Sequence, residues 1–306
     1  MDTRTERWRA VSTLAAALVA LATGCAVEPG SDSDSASSAL AGRVLQFGAR
    51  VMSARGESPG ELRRDFASAQ ADLGPLTSTR AFQVTLPPNQ SERVSPSADI
   101  EITSYKTQHS STLAAFVKSM EPQDMLAFYH EPEGPDDWAS GAAYVAAFEA
   151  ECRAAHRARP DVKFGMIAGG YQYHVGKRGY SGSYLPTNCI DFYAFDTYRD
   201  GSRETGSGSI EPLADVAEFQ RWYSLVKDRG KPLLVTEYGR GTVGNGELAS
   251  TPHKRAQVIP QDAAWLRSKK FVIWNLWYSD FGPDGRAWRF TDQASIDAWQ
   301  NAAQGN

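Results

Sequence analysis

Two glutamates in this sequence stand at the ends of apolar runs, and a glycine follows each of them closely. Glu131 comes directly after His130 at the end of the run 125–129, and Glu237 ends the run 232–236. Two carboxyl groups about 5–5.5 Å apart can cleave a glycosidic bond with retention of configuration, one as proton donor and the other as nucleophile. The sequence therefore predicts a two-carboxyl site if the fold brings these two run ends together.

Eight short apolar segments recur along the chain, and polar or helical sequence follows each of them. The predicted strands are 43–48, 81–86, 99–104, 125–129, 162–167, 190–195, 232–236 and 271–276. Helical periodicity is clearest over 58–73, 136–159, 212–229 and 251–268. Continuous apolar runs are typical of strands covered on both faces, as in parallel sheets. The alternation of strands and helices predicts a single-domain α/β fold, a (β/α)8 TIM barrel.

Two of the outer helices are predicted to be weak. The second connection, 87–98, is rich in proline and serine, and the fifth, 169–188, is rich in glycine and tyrosine. By strand count, Glu131 ends the fourth strand and Glu237 the seventh. Because the carboxyl ends of all eight strands of a closed barrel face one mouth, we expect both glutamates to lie there.

The beginning of the chain has the pattern of an export signal. Three arginines precede an apolar stretch that is too short for a permanent membrane span. The segment 21–25 resembles a bacterial lipobox, in which Cys25 is lipidated and becomes the first residue of the mature protein. The alternative is an ordinary secreted protein in which Cys25 is incidental. The expected parts are a signal peptide at 1–24, a lipidated cysteine and flexible tether at 25–41, and the catalytic barrel at 42–306.

Composition narrows the possible partners. The formal charge is −4 and no basic stripe is present, so nucleic acid is not an expected partner. None of the five histidines has a His-x-His or His-Glu-x-x-His spacing, so neither a metal nor another cofactor is expected. The glycine-rich segment 239–246 lacks the Gly-Lys-Ser/Thr of a phosphate loop. We expect an exported monomer, either secreted or anchored to the outer face of the bacterial membrane through Cys25.

Two cysteines, Cys152 and Cys189, lie within the predicted barrel. Disulfides persist outside the cell, but the sequence alone does not place the two Cα atoms within bonding range. The sequence is compatible with a disulfide between them and with two buried thiols. If the fifth helix is reduced to a loop, the end of the fourth helix, which carries Cys152, can approach Cys189.

The order of these motifs resembles the clan of retaining barrel glycosidases, which carries an acid/base glutamate after strand four and a nucleophile glutamate after strand seven. His130-Glu131 followed by Gly134 resembles the His-Glu-x-x-Gly signature of family 26 glycoside hydrolases. Characterised members of that family cut β-mannans and, in fewer cases, other β-glycans. The resemblance implies that Glu131 is the acid/base and Glu237 the nucleophile.

Two further motifs carry the same resemblance. The segment Asp196-Thr197-Tyr198 resembles the family's aspartate and tyrosine, and in the family this tyrosine touches the nucleophile. The segment 102–106 resembles the family's third strand end, which implies a substrate-binding role for Lys106. The chain departs from the family before Gly134, where Glu133 stands in place of the usual asparagine or aspartate.

The remaining candidates are predicted to bind substrate. They are His130, Tyr198, Tyr171, His174, Trp277 and Lys106. For His130 the alternative is a packed rim histidine, and for the aromatic residues it is core packing. A hydroxyl of Tyr198 bonded to Glu237 would lower the pKa of that carboxyl, whereas Glu131 needs a drier setting that keeps it protonated.

Structural alternatives also exist for the two glutamates. Glu131 could cap a helix that begins near Asp136, and Glu237 could pair with Arg240. Glu133 is assigned to the helix entry or to an outer substrate contact.

These observations favour a retaining glycoside hydrolase that acts on an extracellular polysaccharide, with β-mannan as the first candidate. One alternative is a glycan-binding surface lipoprotein that uses the same barrel without catalysis. Another is an inverting glycosidase in which Glu133 or Asp137 acts as the base, which would require a wider carboxyl pair.

Overall fold

In a computed structural model, the chain forms one closed barrel of eight parallel strands. The structure describes residues 45–51, 59–90, 93–134, 137–199, 210–240, 250–279 and 288–305. The strands are β1 Gln46–Val51, β2 Ser78–Gln83, β3 Ile100–Tyr105, β4 Met125–Phe128, β5 Lys163–Gly169, β6 Phe192–Arg199, β7 Leu233–Arg240 and β8 Ile273–Tyr278. Each strand pairs with the next in the chain, and β8 pairs with β1. The predicted single-domain (β/α)8 TIM barrel is therefore confirmed.

Helices alternate with these strands. They are α1 Pro59–Leu73, α2 Leu113–Ser119, α3 Gly141–Ala158, α4 Ala217–Val226, α5 Thr251–Ser268 and α6 Gln293–Gln304. The described part of 87–98 contains no helix, and the fifth connection has only a 3₁₀ turn at Gly170–Tyr173. Both weak outer helices were thus predicted correctly. In contrast, α3 begins at Gly141 rather than near Asp136, because Ser140 caps it by accepting a hydrogen bond from the Ala143 amide.

The barrel interior is filled by a small apolar cluster. Its members come from β3 to β8, with Val272 just ahead of β8: Ile100, Ile102, Met125, Ala127, Ile167, Phe192, Ala194, Leu234, Val272 and Ile273. A larger cluster packs the outer faces of the strands against the helices. Successive side chains of a strand point to opposite faces, so alternate positions of each strand enter the barrel.

The inward-facing positions of a strand become polar toward the mouth of the barrel. On β6, the inward series Phe192 and Ala194 continues to Asp196, which is fully buried. Within the narrow interior, a Cβ added at Gly48 of β1 would lie 2.2 Å from the carbonyl oxygen of Ser78. Apolar side chains therefore fill the barrel interior away from the mouth, and polar side chains form the layer next to the mouth.

A disulfide fixes the fourth unit of the barrel to the sixth. Cys152, buried on α3, is bonded to Cys189, and their Cα atoms lie 6.0 Å apart. The bond is possible because the reduced fifth connection leaves α3 close to the segment that enters β6. The structure thus decides in favour of a bond over two free thiols.

The predicted signal peptide, Cys25 and the tether lie outside the described residues. In the ranges that the structure describes, no helix combines the length and apolarity needed to cross a bilayer.

Replacing both cysteines by alanine is expected to lower the free energy of unfolding by about 2–4 kcal/mol, because the bond restricts the unfolded chain. The bonded residues are 37 positions apart. Urea unfolding with and without a reductant measures the effect. The reductant should destabilise the wild type and leave the double variant unchanged. Equal stability of the oxidised wild type and the double variant would contradict this role.

Candidate active site

The structure places Glu131 and Glu237 at the same end of the barrel. Glu237 lies on β7, and Glu131 follows β4. Burial is the main cause of the raised pKa of Glu237, and the negative charge of Glu131 adds to it. Burial also raises the pKa of Tyr198, and the charges of Glu237 and Glu131 both add to that shift. The two predicted carboxyl groups therefore belong to one electrostatic cluster.

Glu237 is surrounded by hydrogen-bond donors. Its Oε1 lies 2.5 Å from Nη1 of Arg80 and 3.9 Å from Nε of Arg50. The hydroxyl of Tyr198 donates to Oε2 of the same carboxylate. Only 5% of Glu237 is exposed, so these donors replace most of the water that a carboxylate would otherwise bind.

Arg80 joins Glu237 to a second carboxylate. Its Nη1 donates to Oδ2 of Asp196 over 2.7 Å, and Thr236 donates to Oδ1 of Asp196 over 2.6 Å. A register shift next to Asp196 brings this residue level with Glu237 across the β6–β7 pair. Since the guanidinium is 1% exposed, this is a buried ion network in which each charge needs its partners.

The backbone after β4 turns sharply to present Glu131. Tyr129 and Glu131 have φ values of 44° and 51°, a left-handed conformation that is uncommon for residues other than glycine. The Glu131 amide donates to the carbonyl of Ile167 on β5 over 2.7 Å. A Cβ added at Gly169 would lie 3.3 Å from Cβ and Cγ of Glu131. Glycine at 169 thus leaves room for the Glu131 side chain over the end of β5.

The cluster holds a proton near neutral pH. Burial raises the pKa of Glu131 to about 7, helped by the charge of Asp196 and opposed by Arg80 and Lys106. Burial likewise raises the pKa of Glu237 to about 8, against the effect of Arg80. The predicted hydrogen bond from Tyr198 to Glu237 is present, but the pKa of Glu237 is raised overall because burial is the largest effect.

The hydrogen-bond donors around each carboxyl indicate whether Glu131 or Glu237 holds this proton. Coupled carboxyls titrate as a group, and the donors that surround one of them decide which stays ionised. Arg80 and Tyr198 donate to Glu237, whereas no described side chain donates to Glu131. The arrangement favours a protonated Glu131 beside an ionised Glu237, which are the states that an acid and a nucleophile require.

His130 lies at the same mouth as a neutral imidazole. Burial, together with the charges of Arg80 and Lys106, lowers its pKa well below the usual value. Its ring packs edge-on against Phe82, with 4.8 Å between centroids. Its Nδ1 is buried and has no hydrogen-bond partner among the described residues. The packed rim position and a ligand-binding role are therefore compatible.

Other predicted binding residues line the same region. Lys106 lies with its Nζ 3.5 Å from Oδ2 of Asp137 and 5.1 Å from the ring of Tyr129. Tyr198, besides touching the Glu237 carboxylate, packs against Trp277 with 5.3 Å between ring centroids. Trp277 is only partly buried, and its indole nitrogen has no described partner.

Tyr171 and His174 are not brought to the two glutamates. Tyr171 is 58% exposed, and Nζ of Lys177 lies 4.5 Å from the centre of its ring. His174 has its Nε2 3.6 Å from Oε2 of Glu218. Both residues follow β5 and lie at the mouth end of the barrel, but no described contact joins them to Glu131 or Glu237.

Glu133 does not have the predicted outer position. It is fully buried, and its carboxyl accepts hydrogen bonds from the Gly169 amide over 3.3 Å and from the Tyr173 hydroxyl over 3.2 Å. Burial raises its pKa to about 8. The side chain therefore faces the interior behind Glu131 rather than the helix entry or the solvent.

The two structural alternatives for the catalytic candidates also fail. Ser140, not Glu131, caps α3. Arg240 directs its Nε toward Asp262, 3.8 Å from Oδ2, and donates to Thr197, so it is not the ion-pair partner of Glu237.

Arg50 and Arg80 were not among the residues predicted for the site. The second strand was predicted to begin at Ala81, and this excluded Arg80 from it. The available signal was an arginine at an inward position of a strand, since a buried guanidinium requires acidic partners.

One group of potential metal ligands occurs in the described ranges. Cys152, His156 and Cys189 place their ligand atoms within 4.8 Å of one another. The two sulfurs are bonded to each other, so they are not free thiolates, and we assign no metal to this group.

These features define a class: a (β/α)8 barrel whose mouth holds an acidic pair supported by buried arginines. In sequence comparisons, no protein-family model and no curated protein matches this chain.

Solved structures resemble it in fold. The Cellulomonas fimi endo-β-1,4-mannanase double mutant is 16% identical over 88% of this chain and 73% of that chain, with a TM-score of 0.56. The GH5-4 broad-specificity endoglucanase from an uncultured bovine rumen ciliate is 11% identical over 89% and 98%, with a TM-score of 0.59. The catalytic domain of the Bacillus sp. JAMB-750 GH26 endo-β-1,4-mannanase is 12% identical over 88% and 89%, with a TM-score of 0.53. At these identities the likeness shows the barrel fold alone.

Glu131→Gln is expected to change how stability depends on pH. A carboxyl whose pKa rises on folding, here from 4.5 to about 7, stabilises the fold least when ionised. Its contribution is full below the unfolded value and is lost as pH rises toward the folded value. Removing the ionisable group should reduce the loss of stability between pH 5 and pH 8 by about 1–3 kcal/mol.

Urea unfolding across this pH range makes the comparison. Glu121→Gln, at an exposed glutamate before β4, serves as the control and should follow the wild type. Identical pH slopes for Glu131→Gln and the wild type would show that Glu131 is not held in this state.

Proposed function

We propose that this protein is a retaining glycoside hydrolase that acts on an extracellular polysaccharide, with β-mannan as the first candidate. The observation that carries the proposal is the unequal carboxyl pair at the mouth. Burial raises the pKa of both carboxyls, but no described side chain donates to Glu131, whereas Arg80 and Tyr198 both donate to Glu237.

The reaction follows from these two environments. Glu131 gives its proton to the glycosidic oxygen as that bond breaks, and Glu237 attacks the anomeric carbon to form a glycosyl ester. Glu131, now ionised, removes a proton from the water that attacks the same carbon. The ester bond breaks, Glu237 recovers its negative charge, and the sugar leaves with its original configuration.

The surrounding side chains orient the nucleophile. Arg80 fixes one oxygen of Glu237, and Tyr198 fixes the other. Asp196 in turn holds Arg80 by accepting from the same nitrogen, Nη1. A carboxylate held in this way loses little orientational freedom when it attacks.

The remaining binding assignments are parts of the same proposal. Neutral His130 is partly exposed although its Nδ1 is buried, and the exposed part of its ring contacts the sugar. Trp277 offers an aromatic face to the pyranose ring. Lys106 binds hydroxyls at the rim. Tyr171 and His174, farther from the carboxyl pair, serve as outer contacts for a longer chain.

The motifs and the fold both support the substrate class. The His130-Glu131 motif resembles the family 26 signature, and a GH26 endo-β-1,4-mannanase is among the proteins of similar fold. Export and a lipid anchor at Cys25 form part of the proposal, because a polysaccharide too large to enter a cell must be cut outside it.

An inverting mechanism has less support. Glu133 is fully buried and its oxygens accept from Gly169 and Tyr173, so it is poorly placed to activate water. Asp137 accepts from the Tyr129 hydroxyl over 3.1 Å and pairs with Lys106.

Release of reducing ends from a panel of β-mannans, β-glucans and xylans tests the proposal. Glu131→Gln should lower kcat by about 10²–10⁴-fold, because general acid catalysis is lost. Glu237→Gln should lower it further, because no glycosyl ester can form. Glu121→Gln should match the wild type.

Full activity of Glu237→Gln would contradict the assignment of the nucleophile. Binding of a polysaccharide by the wild type without cleavage of any member of the panel would instead favour a glycan-binding surface protein.

A further inference from the structure

The carboxyl of Glu133 is the buried acidic group closest in sequence to Glu131 that the proposed reaction does not use. It is 0% exposed. One oxygen accepts from the Gly169 amide, at the end of β5, and the other from the Tyr173 hydroxyl, in the turn that follows. A charged residue type this deeply buried usually has a specific role for its hydrogen bonds.

The segment that carries Glu131 is strained. Tyr129 and Glu131 both have left-handed backbone conformations, with φ values of 44° and 51°. This conformation is unfavourable for residues that carry a Cβ, because the Cβ lies too close to the following carbonyl oxygen. A turn of this kind persists only where surrounding contacts over-determine it.

The regular backbone pairing between β4 and β5 ends before this turn. The pairing of β4 with β5 ends at Ala127 and Gly165, before the turn begins. Beyond that point, the Glu131 amide donates to Ile167, and Gly169 donates to the Glu133 carboxyl. The side chain of Glu133 therefore supplies the acceptor that β4 no longer offers.

Gly169 connects the two glutamates directly. Its amide binds Glu133, and the position of its missing Cβ lies 3.3 Å from Cβ and Cγ of Glu131. Whatever fixes the loop against Gly169 also fixes the Glu131 side chain over the mouth.

We propose that Glu133 is a positioning residue for Glu131: by tying the turn after β4 to Gly169 and Tyr173, it holds the Glu131 carboxyl in place to protonate the leaving group. The two hydrogen bonds of Glu133 follow from the geometry, and their role in catalysis rests on the proposed glycosidase function.

A substrate pair distinguishes this role from general stabilisation. The first substrate is the polysaccharide that the panel identifies, and the second is the 2,4-dinitrophenyl glycoside of the same sugar. Dinitrophenolate leaves without protonation, so formation of the glycosyl ester from this glycoside does not need the acid. A displaced Glu131 should therefore affect the two substrates differently.

Glu133→Ala is expected to lower kcat on the polysaccharide by about 10–100-fold, the size typical of a displaced catalytic group. KM should stay within about threefold, since substrate contacts remain. The rate of dinitrophenolate release in the first turnover should fall by less than about threefold. Glu133→Gln keeps an acceptor oxygen and should restore most of the polysaccharide activity.

Glu151 provides a matched control. It is 4% exposed, accepts from the Tyr105 hydroxyl over 3.2 Å, and lies on α3 without a described contact to the turn after β4. Glu151→Ala should leave the ratio of the two activities unchanged. Equal losses on both substrates in Glu133→Ala, or the same altered ratio in Glu151→Ala, would overturn the positioning role.

Two measurements cover the remaining cases. If Glu133→Ala does not fold, Tyr173→Phe removes one of the two bonds and should show the same leaving-group pattern at smaller size; an unchanged ratio would overturn the proposal. If the wild type cleaves no polysaccharide, the proposed glycosidase function is wrong, and the positioning of Glu131 by Glu133 needs a test of its own. Amide hydrogen exchange at Glu131 then tests the tie: faster exchange in Glu133→Ala than in Glu151→Ala supports it, and equal exchange overturns it.

Discussion

The contact of Arg80 with two carboxylates is the interaction on which the mouth of this barrel depends. Its Nη1 lies 2.7 Å from Asp196 and 2.5 Å from Glu237, and the guanidinium is almost completely buried. Removing one partner from a buried ion network costs about 3–5 kcal/mol, because the remaining charge is left without compensation. Three strands, β2, β6 and β7, are therefore joined by charge, although β2 shares no backbone ladder with the other two.

The same network makes the two glutamates chemically different. Glu237 lies within it and receives donors on both oxygens, whereas Glu131 enters from a strained turn after β4 and depends on packing against Gly169. These different surroundings favour a protonated Glu131 beside an ionised Glu237, which are the states that the proposed retaining mechanism requires. The apolar interior below them lowers the local dielectric constant and so strengthens the interactions between these buried charges.

The barrel could be predicted from the sequence because alternating strands and helices are a local and repeated property. The strand ends were less predictable: β6 and β7 continue through Asp196 and Glu237 to Arg199 and Arg240, since the ladder between them extends into polar residues. The site itself was predicted in part. Glu131, Glu237 and Tyr198 follow from strand order and motif resemblance, and the structure places them in one cluster.

What could not be predicted depends on contacts distant in sequence. Arg80 and Asp196 are 116 positions apart, so the sequence of the second strand does not indicate that they pair. Glu133 was assigned to the helix entry or to an outer substrate contact, because Glu131, directly after His130, was expected to face the mouth. Its burial depends on Gly169 and Tyr173, which reach it only when the barrel closes.

Covalent capture of the nucleophile tests the proposed mechanism most directly. A 2-deoxy-2-fluoro glycosyl fluoride of the cleaved sugar forms the glycosyl ester faster than water can release it, because the fluorine destabilises the oxocarbenium-like transition state and the fluoride is a good leaving group. Mass spectrometry of the intact chain and of its peptides locates the bound sugar. We expect one sugar per chain, attached to Glu237. A sugar attached to a different carboxylate, or turnover with inversion and no attached sugar, would contradict the mechanism.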